Sequence, residues 1–467
     1  MKNIDDLFDR EIKNKLKMEN SKVPDDINKK MDEAINNLGK RKRNYKKVSR
    51  ICAACIAGTL IFGVTMPTYA QNIPVIGKIF EMFNDEKYDK YASDLDVTKE
   101  SNGYRVTINK ILYDSLSLDI FYTIQSDKPL EKGLDLADVT LKVNDKWLNS
   151  GYGGDLRKID DFTYVGRRSY SVAFERLAPE EFKKNILEKD IEIPNNFNLS
   201  INISSLGTVT EDIMVEGKWN FNIPISDELV KEDIKEQDLN INLGKDLNDA
   251  ILTKLIQTPI NTVLQMVEIK EPYDYSTLNF VIFDDKGRYL SSKGGDGVGN
   301  SDENGNSKMF ITSKFKEVDE DSESLTIIPY IQRDNMNEET SSGEVTFPKE
   351  LKTELNLTGE SEVKLDNGEV YSKINKIESN GDTTKVYYES KYSIYGAPSY
   401  IIDNETGEKI EPIGEKESIY TYNIKQVEGE QFVIEFPKEL TENDYTVVFL
   451  DRSSYEPGGD AIKIDLK

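Results

Sequence analysis

Leu116-Ser117-Leu118-Asp119-Ile120-Phe121-Tyr122-Thr123-Ile124-Gln125 decides how the greater part of this chain folds. Leu116, Leu118, Ile120, Tyr122 and Ile124 alternate with Ser117, Asp119, Phe121, Thr123 and Gln125, a period of two that an extended strand sorts onto opposite faces. One face is apolar and the other is polar apart from Phe121, so the stretch reads as a half-buried β-strand.

On either side of it the sequence repeats itself. Asn102-Gly103 followed by Ile108-Asn109-Lys110-Ile111 recurs as Asn367-Gly368 followed by Ile374-Asn375-Lys376-Ile377. Phe347-Pro348-Lys349-Glu350-Leu351 recurs as Phe436-Pro437-Lys438-Glu439-Leu440, with Phe221-Asn222-Ile223-Pro224 a weaker third copy. Hairpin turns are expected at Asp284-Asp285-Lys286-Gly287 and Asp403-Asn404-Glu405-Thr406-Gly407. Three related β domains account for this order, at 95–225, 226–350 and 351–467. Tyr445-Thr446-Val447-Val448-Phe449, after Phe436-Pro437 and a short polar link, looks like the tyrosine corner of immunoglobulin-like sandwiches. Helical insertions are expected near Pro179 to Leu187 and Asp246 to Leu255.

Upstream, the uncharged apolar run Ile51 to Ala70 follows Lys40, Arg41, Lys42, Arg43, Lys46, Lys47 and Arg50. As a helix it would be about 30 Å long, enough to cross a bilayer's hydrocarbon core. The basic flank predicts a cytoplasmic amino terminus and an extracellular carboxyl terminus. A cleaved signal ending at Thr68-Tyr69-Ala70 is the alternative, but about fifty patterned residues precede the run. The fold class is thus mainly β: extracellular immunoglobulin-like β-sandwich domains in tandem, joined by one transmembrane helix (51–70) to a short α-helical cytoplasmic segment (1–50). Between span and sandwiches lies an amphipathic juxtamembrane segment, 71–94. A helix from Pro74 would put Val75, Ile76, Ile79, Phe80, Met82 and Phe83 on one face, to rest on lipid or on the ectodomain.

Residues 1–50 hold two short amphipathic helices. Ile4, Leu7, Phe8, Ile12 and Leu16 form the stripe of the first, and Ile27, Met31, Ile35 and Leu38 that of the second, begun by Pro24 and ended by Gly39. Two such helices bury too little to fold alone, so the stripes are candidate partner-binding surfaces. The basic cluster sits where anionic lipid would attract it, which explains it better than nucleic acid.

Composition removes several chemistries. There is no His in 467 residues, which excludes His general acid/base catalysis, Ser-His-Asp and Cys-His nucleophiles and His-containing zinc sites. Both Cys, Cys52 and Cys55, lie in the apolar run, so no extracellular disulfide or Cys-based metal site is expected. Residues 1–70 carry 15 Lys and Arg against 9 Asp and Glu, leaving 45 against 76 and a net charge of about −31 beyond them. A surface so acidic repels nucleic acid. Asn300, Asp302, Asn304 and Gly305 open like a calcium loop, but its twelfth position is Ile311 where a bidentate Glu is required, so a hairpin tip is the better reading. The acidic run Glu317, Asp319, Glu320, Asp321 and Glu323 reads as a solvated loop. No carboxylate pair is singled out by spacing, so neither catalytic activity, cofactor nor metal is expected.

The order of basic patch, apolar span, small-residue exit and Ile73-Pro74-Val75-Ile76-Gly77-Lys78-Ile79-Phe80 resembles a domain-of-unknown-function family of single-pass membrane proteins from Gram-positive bacteria. The resemblance covers about residues 1–125. Members are often encoded beside extracytoplasmic-function sigma factors, which implies an anti-sigma-like role: cytoplasmic helices that bind a sigma factor or other cytoplasmic protein, and an ectodomain that senses the cell envelope. The family supplies no catalytic residue, and zinc-binding anti-sigma domains need a His and two Cys that residues 1–50 lack. A cell-surface binding or adhesion protein with a noncatalytic ectodomain is the alternative. The extracellular ligand is not legible.

Overall fold

The stretch 116–125 does form a strand, but both of its faces are covered. The computed structural model describes residues 79–83, 86–130, 133–148, 151–183, 193–208, 213–272, 274, 276–332, 348–414, 423–441 and 444–466. These are mainly β, and among them six antiparallel sheets face one another in pairs as three sandwiches. No helix among the described residues is long and apolar enough to cross a membrane. The predicted span 51–70 and the predicted cytoplasmic helices lie outside them.

The first sandwich begins after a short helix α1 (Ile79–Phe83) and a 3-10 turn (Glu86–Tyr91). Its strands are β1 (Ala92–Ser101), β2 (Tyr104–Tyr113), β3 (Ser117–Ser126), β4 (Asp135–Leu136), β5 (Val139–Val143), β6 (Lys146–Leu148), β7 (Tyr152–Asp160), β8 (Thr163–Ser171), β9 (Asn196–Gly207) and β10 (Met214–Ser226). One sheet runs β1-β2-β3-β8-β7; the other runs β10-β9-β5-β6, with β4 also on β9. Leu118, Ile120, Tyr122 and Ile124 of β3 meet Leu199, Ile201, Trp219 and Phe221 between the sheets. The face of β3 that reads as polar carries Ser117, Phe121 and Thr123, all buried. It is covered because other parts of the chain pack on the outside of this sheet. Helices α2 (Ala173–Leu177) and α3 (Glu180–Lys183) separate β8 from β9; α3 lies within the insertion expected near Pro179 to Leu187, and α2 precedes it.

The second sandwich uses β11 (Lys235–Asn242), β12 (Ile251–Gln257), β13 (Asn261–Lys270), β14 (Thr277–Asp284), β15 (Tyr289–Leu290), β16 (Ser292–Ser301), β17 (Ser307–Lys316) and β18 (Ser324–Gln332). The third uses β19 (Glu350–Glu354), β20 (Ser361–Lys364), β21 (Val370–Ser379), β22 (Thr384–Glu389), β23 (Tyr400–Asp403), β24 (Lys409–Ile410), β25 (Lys425–Glu428), β26 (Gln431–Phe436) and β27 (Tyr445–Leu450). The chain then adds β28 (Tyr455–Pro457) and β29 (Ile462–Asp465). The five-stranded sheets β11-β12-β13-β17-β16 and β20-β21-β22-β26-β25 repeat the order of the first. The turns Asp284–Gly287 and Asp403–Gly407 join β14 to β15 and β23 to β24.

The repeat at Ile108-Asn109-Lys110-Ile111 has a structural cause. The pairing of β2 with β3 shifts between Ile108 and Lys110, that of β21 with β22 between Ile374 and Lys376, and that of β12 with β13 between Leu252 and Lys254. Each is a bulge that inserts one residue, so apolar side chains three apart, Ile108 and Ile111 or Leu252 and Leu255, reach the same core. That spacing imitates a helix, and the helix expected at Asp246–Leu255 is absent for this reason: Lys245–Leu247 is one 3-10 turn, Asn248 and Asp249 take positive φ, and β12 follows. The second repeated pentapeptide does not mark equivalent places. Glu350-Leu351 opens β19, whereas Phe436 closes β26.

The fourth strand of the smaller sheets shows how the sandwiches are linked. In the first sandwich β10 follows β9 and pairs with it. After β18, however, the next strand β19 pairs with β27 of the third sandwich, and after β27 the strands β28 and β29 return to β18 of the second. The second and third sandwiches therefore exchange their closing strands, and the residues 455–465 that follow the third β unit in sequence complete the second.

Candidate functional site

Segment 79–91, which follows the predicted span in sequence, is apolar on one side, and that side is buried. Ile79, Phe80, Phe83 and Tyr88 join Leu112, Phe121 and Val165 of the first sandwich and Ile260 of the second in one cluster. Phe121, the apolar residue on the polar face of β3, is the anchor: its ring lies 4.6 Å from that of Phe80 and 5.7 Å from that of Phe83, both edge-on. The Arg157 and Arg167 guanidiniums cover Phe83 at 5.1 and 5.6 Å. At about 2 kcal/mol for each large buried side chain, the segment is docked by several kcal/mol before its ordering is counted.

Charge fixes its position. Lys110, beside the bulge of β2, donates to Asp89 at 2.7 Å and to Asp94. Burial opposes its charge, but the two carboxylates outweigh that and hold the ammonium above its usual range. From the second sandwich, Glu317 receives Lys87 and the Tyr88 hydroxyl, and Asp233 receives the Tyr91 hydroxyl at 3.2 Å. The Glu317 side chain is only 8 % exposed, and Lys293 stands 4.0 Å away. The segment is thus held at the seam between the first two sandwiches, by both.

That seam is polar. Asp114 is fully buried; one of its oxygens accepts the N–H groups of Leu116 at 2.9 Å and Ser117 at 2.6 Å, the other Asn261 Nδ2 at 2.7 Å and the Thr258 hydroxyl. Ser115, at φ 74°, donates to Asp227 at 3.0 Å. Asp119 lies on the same outer face of β3 with Oδ1 unpartnered. Burial pushes its carboxyl above the usual range, against the opposing pull of Ser169, Arg167 and Lys293.

The junction of the second and third sandwiches is apolar instead. Val281, Phe283 and Tyr330 of the second belong to the core cluster of the third, with Phe283 5.7 Å from Phe432. Tyr395 packs 5.2 Å from Tyr330 and stacks at 4.1 Å on Tyr455. Gly287 meets Gln426 so closely that an added Cβ would fall 1.9 Å from its carbonyl oxygen, and its φ of 72° lies in the left-handed region that favours glycine. Beside this contact a cleft of 440 Å³ opens, lined among others by Lys316, Glu317, Lys385, Tyr387 and Lys425.

The stripe residues Ile4, Leu7, Phe8, Ile12, Leu16, Ile27, Met31, Ile35 and Leu38 lie outside the described residues. The loop at Asn300–Gly305 is a hairpin tip in which Asp302 accepts the N–H groups of Asn304 and Asn306 at 2.8 and 2.9 Å. Among the described residues no group of three or more His, Cys, Asp or Glu is placed to hold a metal ion. The acidic run 317–323 is more than a solvated loop. Glu317 anchors the docked segment, and Asp319 and Asp321 bind Arg288 at 3.1 and 2.6 Å. Unpaired acids in the run would read the same in sequence, because their partners are up to 230 residues away.

Fold and site together define a mainly β, multi-sheet protein with a segment clamped at one junction. Two family models match it: "Domain of unknown function (DUF4179)" over residues 40–126, and "Family of unknown function (DUF5643)" over residues 234–365. The first runs through the docked segment to the end of β3; the second spans the second sandwich from just before β11 to β20. A solved structure described as "The crystal structure of the conserved domain protein from Bacillus anthracis" is similar over 82 % of this chain and 94 % of its own, at 18 % identity and a TM-score of 0.42. No curated protein matches.

Proposed function

We propose that this protein is a single-pass, membrane-anchored signalling regulator of the anti-sigma type, with its amino terminus in the cytoplasm and its sandwiches outside. The docking of segment 79–91 at the seam of the first two sandwiches carries this reading. A passive stalk needs no such contact, whereas a clamp between two sandwiches makes the exit from the membrane sensitive to their arrangement. The sandwiches are immunoglobulin-like and noncatalytic; in support, the Thr441 N–H donates to the Tyr445 hydroxyl at 3.4 Å, four residues back along the chain. The stripes of residues 1–50 bind the sigma factor.

Phe80→Asp in the full chain tests the clamp. It should release segment 79–91 to protease and shift transcription from the sigma-dependent promoter toward that of cells lacking the protein. Leu7→Asp or Leu38→Asp should abolish co-purification with the sigma factor encoded beside the gene, while Lys13→Ala or Lys29→Ala should not. Unchanged transcription in the released variant, with equal co-purification by stripe and control variants, would favour a surface-binding protein.

A further inference from the structure

The cleft between the second and third sandwiches is chemically unlike the surface around it. Beyond residue 70 the chain carries a large excess of acid, yet Lys316, Lys385 and Lys425, from three different strands, line one 440 Å³ space. Of the acids that share it, Glu317 is engaged by Lys87 and Tyr88 and Asp319 by Arg288, while Glu435 accepts the Thr383 hydroxyl at 2.6 Å and stands opposite Lys385 in the pairing of β22 with β26. None of the three lysines forms an ion pair among the described residues. Three exposed lysines lining one space, with two of its three carboxylates already paired to other cations, leave an excess of positive charge complementary to a multiply charged anion, and the volume suits a small molecule or one end of a polymer. The walls are firm, since the Gly287–Gln426 contact and the exchanged strands tie the two sandwiches together.

We propose that this cleft binds a phosphate-bearing anion with several negative charges, either a soluble oligophosphate or a phosphodiester polymer. Glu317 lines the cleft and also holds Lys87 and Tyr88, so an anion seated there competes for the lysine side of the same electrostatic balance and acts on the clamp. The coupling to the clamp, though not the binding itself, rests on the signalling reading above.

The test is titration of the full chain in nonionic detergent with tripolyphosphate and, separately, with poly(glycerol phosphate), against the variant carrying Lys316→Ala, Lys385→Ala and Lys425→Ala. All three side chains are exposed, so the variant should melt as the parent does. Binding of either probe that weakens tenfold or more in the variant, and weakens with added salt, supports the site, and the preferred probe names the source of the ligand. Absence of binding to both probes, or equal binding by parent and variant, overturns it. Hydrogen exchange at residues 79–91 reads the coupling separately: it should change on binding in the parent alone, and binding without that change overturns the link to the clamp while leaving the site in place.

Discussion

The first junction in this molecule combines a buried polar network around Asp114 with small apolar clusters, such as Leu116 and Ala173 against Ile256 and Val263, whereas the second is built from aromatic rings and exchanged strands. A polar network holds its geometry only while each donor and acceptor keeps its partner, so a single lost partner weakens it sharply. An apolar junction that also swaps strands has no comparable point of release, because separating the second and third sandwiches means opening both cores. The docked segment 79–91 sits at the first kind of junction. The segment thus rests on the junction that contains the polar network, while the second and third sandwiches share a core.

That contrast breaks most visibly if the chain is ended after Leu450. Loss of β28 and β29 strips Ile464 and its pairing from β18, and we expect the second sandwich to be destabilised by about 5 kcal/mol or more, with the transition of the first unchanged by calorimetry. Independent survival of the second sandwich would refute its dependence on the exchange. Phe432→Ala should cost about 3–5 kcal/mol and lower the melting of the second and third sandwiches together; separate transitions would show that the shared core does not couple them. Asp114→Ala leaves two N–H groups, Asn261 and Thr258 without their acceptor. It should cost about 2–4 kcal/mol and broaden spin-label distances between the first and second sandwiches, but not between the second and third.

The smallest effect is expected at Asp119. Its carboxyl titrates higher folded than unfolded, so folding favours the protonated form; that stability is present at acid pH and is lost as pH rises through the folded value. Asp119→Asn should therefore raise the melting temperature at pH 7 by about 2–4 °C, and the gain should vanish toward pH 4. An equal gain at both pH values would mean the effect is not one of charge.

Strands with strict alternation, such as 116–125, were legible in the sequence because one register alone buries their apolar set. Strand β12 was not: its bulge at Thr253 puts Leu252 and Leu255 on one side, and with Leu247 and Ile251 nearby the spacing is that of a helix. Phe121 was visible as an apolar residue on a polar face, which is the signature of a covered face rather than a solvated one. The apolar stripe of segment 79–91 was equally visible, and the alternative left open was what it rests on. The clamp acids Glu317 and Asp233 were not, since a carboxylate's partner across some 140 to 230 residues leaves no local pattern. Strand exchange is invisible for the same reason: β19 and β29 have ordinary strand composition, and only the partner differs.

The exchange also imposes an order on synthesis. A chain emerging from the ribosome can close its first sandwich once β10 has been made, but β18 then waits more than a hundred residues for β28 and β29, its hydrogen-bonding edge and the apolar side chains Ile327 and Ile331 uncovered. During that interval the third sandwich must be translated and folded around β19. The second sandwich, central in space, is the last to be finished, so nascent chains halted anywhere between residues 333 and 454 should be the ones that call on chaperones.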